Sequence, residues 1–91
     1  MSRSLRFYQL WKETADLLAW RCTSTLYVAD MIDEQAGGQT CTAFDMRKRA
    51  RVLARRAVAA QDRMHVAQER VQLERREARH RSQEVGDDGN P

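Results

Sequence analysis

Apolar side chains recur at alternating three- and four-residue steps along most of this chain, and one Gly-Gly pair divides them into two runs. Tyr8, Trp11, Ala15, Leu18, Cys22, Thr25, Ala29, Ile32 and Ala36 form the first line, in which only Thr25 is clearly polar. Met46, Ala50, Leu53, Ala57, Ala60, Met64, Ala67 and Val71 form the second, which then degrades through Glu74, Ala78, Arg81 and Val85. Such spacing keeps one stripe of a helix facing a neighbour over its whole length, the heptad seam of a coiled coil. The expected class is therefore all-α.

The breakers set the organisation. Residues 5–36 contain neither Gly nor Pro, and the run AGGQTCT follows, where Gly37 and Gly38 supply the left-handed backbone that ends helices. Thr42 opens TAFD, a cap pattern that places Asp45 near the positive end of a second helix dipole. No further breaker occurs before Gly86. The expectation is a single antiparallel two-helix hairpin over residues 1–85, coiled-coil-like with an Ala-rich seam and pairing further into a helical bundle. Helix one should cover about 5–36, the turn 37–41 and helix two about 42–85, and residues 86–91 should form a disordered tail.

Small residues recur along both seams, Ala15, Cys22, Ala29 and Ala36 on one and Ala50, Ala57, Ala60 and Ala67 on the other. They let the helix axes approach closely. An antiparallel pairing about the turn should set Ile32 near Met46 and Ala50, Leu18 near Met64 and Trp11 near Val71. It should run out near Tyr8 and Glu74, and leave RREARHRSQE projecting beyond the hairpin.

A hairpin of this kind cannot cover everything apolar that the sequence carries. Leu10, Leu17, Trp20, Tyr27 and Met31 lie on a second three-four line well around from the first seam, and Val52, Ala59, Val66 and Leu73 form a weaker counterpart on helix two. These lines are expected to form an interface, either the second half of a homodimeric four-helix bundle or a docking face for a different protein. Trp20 and Tyr27 are its aromatic anchors.

Net charge is +3, and it is unevenly spread: residues 46–63 hold seven basic side chains against one acid. Arg49, Arg56, Arg63 and Arg70 recur every seventh residue as a ladder with rungs about 10.5 Å apart, broadened by Lys48 and Arg55. The flanks of helix one offer this ladder a single acid, Asp33. Its arginines are thus expected to meet acids such as Asp16, Asp30 and Glu34 across an assembly interface, their stems covering apolar surface. The competing expectation is that the ladder of a hairpin dimer tracks a nucleic-acid backbone. Because Ala, Val and Leu interleave with the basic residues, the packing reading comes first.

Catalytic chemistry has little to stand on. Glu77 and His80 have the Glu-x-x-His spacing of di-iron bundles, yet lie off the seam on the overhang, and His65 with Glu69 reads as a solvated pair. Gly37-Gly38 has no Lys or phosphate-loop spacing. Cys22 and Cys41 fall too far apart in a hairpin for a disulfide. No enzyme activity, cofactor or metal is expected. No apolar run reaches the ~20 residues of a membrane span, so the expectation is a soluble, cytoplasmic interaction module, an adaptor, regulator or chaperone-like subunit that binds a protein partner or itself. The alternative is nucleic-acid binding through helix two.

Overall fold

The backbone forms two long helices, α1 from Arg3 to Ala36 and α2 from Cys41 to Asp88, in a computed structural model that describes residues 2–88, with side chains through 83. Ala, Arg, Leu, Gln and Glu, all strong helix formers, dominate α2. In α1 the β-branched residues are accommodated by back-bonding: Thr14, Thr23 and Thr25 each donate a hydroxyl hydrogen bond to the carbonyl four residues earlier. Ser2 caps α1 by accepting from the Leu5 amide at 3.1 Å, so the helix begins two residues before the expected Leu5. α2 continues through Gly86 to Asp88, and the last three residues of the expected tail lie outside the described residues.

The turn is built from both strands of its own logic. Gly37 adopts φ 74°, its amide donates to the Glu34 carbonyl, and the Gly38 amide donates to the Asp33 carbonyl. This double bond pattern satisfies the last carbonyls of α1 and reverses the chain. Thr40, and not Thr42, caps α2, because its hydroxyl oxygen accepts from the Ala43 amide at 3.1 Å. The sequence reading chose the wrong threonine since it favoured the one followed by an acid three residues on. Asp33 explains the choice the chain makes: its carboxylate accepts from both the Thr40 amide and the Thr40 hydroxyl at 2.9 Å, which draws the start of α2 against the last turns of α1.

The seam closes as its spacing requires. Ala29 and Ala43 are fully buried, Ala15, Ala50, Ala60, Ala67 and Val71 nearly so, and the larger seam residues Trp11, Leu18, Ile32, Leu53 and Met64 are half-buried between them. Cys22 donates its thiol to the Ala50 carbonyl at 3.2 Å, a contact only a short side chain on a closely approached helix can make. Cys22 and Cys41 are both free thiols. Ala36, at the end of the first line, is exposed beside the turn.

The register differs from the expected one by about a turn at the open end. Trp11 lies beneath Arg63 and not beside Val71, while Ser4 donates to Glu74 at 2.6 Å. Pairing therefore does not run out at Tyr8: the line extends back to Ser4, and the polar residue that interrupts the second seam is answered by a buried polar residue on the first. The turn sets this register: with α1 ending at Ala36 and α2 starting at Cys41, Trp11 falls opposite the turn of α2 that carries Arg63 and Ala67, about one turn short of Val71. The result is a rod of 82 × 16 × 15 Å, with the end of α2 projecting beyond α1. Among the described residues there is no strand, and no helix is long and apolar enough to cross a membrane.

Candidate interaction surface

Antiparallel packing gives the hairpin two long sides, and the sequence stocks them differently. On one, the α1 flank of Phe7, Thr14, Arg21, Val28 and Gln35 faces the arginine ladder of α2, because equivalent heptad flanks meet across an antiparallel seam. One line further out on that side lie Leu10, Leu17 and Met31 of α1, and Val52, Val66 and Leu73 of α2. On the other side, Lys12, Ala19, Leu26 and Asp33 face Arg47, Ala54, Gln61 and Gln68, backed mainly by polar residues such as Gln9, Asp16, Thr23 and Asp30. A groove of about 330 Å³ at the open end confirms the assignment, since Phe7, Trp11, Arg63, Val66 and Arg70 line it together. Leu26, Arg47, Arg51 and Ala54 line a different groove on the opposite side.

Each apolar residue singled out in the sequence is on the surface. Leu10, Leu17, Trp20, Tyr27 and Met31 are 40–67% exposed. Leu10, Leu17 and Met31 belong to the ladder side, whereas Trp20 and Tyr27 occupy the outer edge of α1, diametrically away from α2. Phe7 and Val28, each 42% exposed, join the ladder side and were missed as interface residues. The sequence held the signal: both occupy flank positions where coiled coils ordinarily place charge.

Arg49, Arg55, Arg56, Arg63 and Arg70 are exposed, and among the described residues none of them forms an ion pair. Arg63 instead lies 4.7 Å from the centre of the Trp11 ring, within the range where a guanidinium is held by an aromatic face. Lys48 sits similarly over Phe44 at 4.7 Å. The acids near the turn are engaged elsewhere. Arg47 bonds Asp30 at 2.9 Å and Asp33 at 2.7 Å. Asp30, expected to meet the ladder from another subunit, is thus used within its own hairpin, because Arg47 projects to the side opposite the ladder. Hydrogen bonding from Arg47 is the largest influence on the Asp33 carboxyl and, with help from Thr40, holds it below the ordinary aspartate range against the opposing effect of desolvation. Asp30 first and Asp33 second raise the Arg47 guanidinium.

Among the described residues no three His, Cys, Asp or Glu side chains converge as metal ligands, and Glu77 is bridged to Arg81 at 3.9 Å within its own helix. What the surface offers is a long apolar ribbon divided by a row of unneutralised cations. No family model, no curated protein and no solved structure matches this chain.

Proposed function

We propose that the chain is a non-enzymatic helical interaction module, an adaptor, regulator or chaperone-like subunit, that binds a protein partner or a second copy through its exposed apolar face. The observation that carries this reading is the exposure of Leu10, Leu17, Trp20, Tyr27 and Met31 in a hairpin whose own seam is complete without them. Large aromatic and aliphatic side chains that a fold leaves wet in one contiguous stripe mark binding surfaces, and Trp and Tyr lead among residues that dominate interface energetics. A cytoplasmic setting belongs to this proposal.

The exposed arginine ladder supports a second reading, in which a hairpin dimer binds nucleic acid through Arg49, Arg55, Arg56, Arg63 and Arg70. Apolar lines on both sides of the ladder weigh against it, since a phosphate backbone offers Leu17 and Val66 nothing. Sedimentation at low and high salt, alone and with a mixed RNA and DNA panel, separates the two. The interaction reading expects no tight nucleic-acid complex. It also expects any self-association to survive salt and to weaken by a few kcal/mol in Trp20→Ala with Tyr27→Ala. Tight binding to nucleic acid that falls steeply with salt, by about 0.7–0.9 in slope for each arginine contact, and disappears in Arg56→Gln with Arg63→Gln would overturn it.

A further inference from the structure

We infer that the ladder side takes an acidic amphipathic helix, laid lengthwise along the hairpin with an apolar stripe against Leu10, Leu17, Val52 and Val66 and carboxylates at heptad spacing over Arg49, Arg56, Arg63 and Arg70. This inference rests on the proposed function and names the partner's chemistry.

Charge decides the occupant. Along the four lines that make up this side, residues 7–35 of α1 and 46–73 of α2 contain five arginines, Arg21 and the ladder, and no acid. Asp62, from the next line out, is the one acid that lines the groove, beside Arg63 and Arg70. A second copy docked face to face would therefore set arginine rows against each other, and like charges brought together at an interface cost several kcal/mol. Of the chain's own acids, Asp30 and Asp33 already bond Arg47 and Glu74 accepts from Ser4, while Glu13, Asp16 and Glu34 lie on other lines of α1. A nucleic acid would satisfy the cations but not the apolar lines. An acidic helix with one apolar stripe matches both, and burying the apolar lines strengthens the charged pairs beside them.

Length and anchoring follow from the same geometry. Four rungs at about 10.5 Å span about 31 Å, so a partner helix of roughly three heptads reaches from end to end. The groove between Phe7, Trp11, Val66 and Arg70 accepts one large apolar side chain of that helix. Arg63 already sits over Trp11, 4.7 Å from the ring centre, and is exposed without an ion pair among the described residues, so its guanidinium has donors to offer a carboxylate.

Two peptides of four heptads test this, with Leu at both seam positions and either Glu or Lys at both flanks. Like-charged flanks keep each from pairing with itself at neutral pH. Binding to the full chain is read by anisotropy of the labelled peptide and by gain of helix signal. The Glu peptide should bind about tenfold more tightly than the Lys peptide at low salt, as four modest exposed pairs imply, and the gap should narrow as salt rises. Arg49→Glu with Arg56→Glu, at exposed positions without an ion pair or ring contact among the described residues, should abolish the preference. Equal binding of both peptides, abolished by Leu17→Ser with Val66→Ser, would overturn the acidic partner and leave the interaction module standing. Binding of neither peptide would overturn this inference too, and if RNA or DNA then bound in their place the proposed function would fall with it.

Discussion

The seam and the ladder side invert the usual distribution of side-chain size. Among the described residues those fully or nearly fully buried are Ala15, Ala29, Ala43, Ala50, Ala60, Ala67, Val71 and Ser4, and no large side chain is fully buried. The residues left wet include Leu10, Leu17, Trp20, Tyr27, Val66 and Leu73, each more than half exposed. Small side chains bring two helices close and fix their register, but each removes little apolar area from water, at about 25 cal/mol per Å². A chain of this length thus makes its shape-determining contacts with alanine and leaves its larger hydrophobic side chains exposed, which is what the proposed function rests on. The difference teaches that the contacts that close the hairpin and its large exposed apolar side chains lie on separate lines of the same helices.

If that division holds, the largest effects belong to the seam. Ala29→Leu and Ala43→Leu each push a branched side chain into a fully occupied contact, and should destabilise the hairpin by about 1–3 kcal/mol in urea unfolding. Unchanged stability in both would mean that the helices are not in close contact there.

The turn comes next. Thr40→Ala removes the α2 cap and one donor to Asp33, with an expected cost of ~0.5–2 kcal/mol, whereas Thr42→Ala should fall within the noise of a surface substitution. The two variants, unfolded side by side, decide which threonine caps the helix.

A pH titration of unfolding sharpens the same end of the molecule. The Asp33 carboxyl is held below its unfolded value, so its contribution is complete above the ordinary aspartate range. It is lost as pH falls through that range towards the lower folded value. Asp33→Asn should flatten this part of the profile. A parent and variant with parallel acid limbs would place the loss elsewhere.

How much of this was legible in the sequence depends on which interactions set each feature. Seam membership was readable almost residue by residue, from Tyr8 to Ile32 and from Met46 to Val71, because burial along a helix follows spacing alone. The exposure of Leu17, Trp20 and Tyr27 followed from the same count, since one antiparallel neighbour covers one stripe. Register was not readable at the level of a turn. It depends on how the chain passes from Gly37 to Cys41, and that is settled by Asp33 bonding Thr40, a contact seven residues apart that no periodicity encodes. The capping threonine was misassigned for the same reason. The pairing was ended at Tyr8 and Glu74 because Glu74 is polar alone, and only its hydrogen bond with Ser4 carries the seam further. On the ladder side the arginines were visible as a row, and their shared side with Phe7 and Val28 was readable from the heptad flanks once the helices are antiparallel.

The smallest effect on folding carries the most weight. Leu10→Gln, Leu17→Gln and Met31→Gln combined in one chain change only the outer apolar line. The measurement is the urea midpoint of this triple variant beside the parent, at a concentration dilute enough to exclude association. The separation of folding from binding predicts a stability within about 0.5 kcal/mol of the parent, as for surface positions away from structural contacts. A loss comparable to Ala29→Leu would contradict it, and would show that these side chains belong to the core of the hairpin.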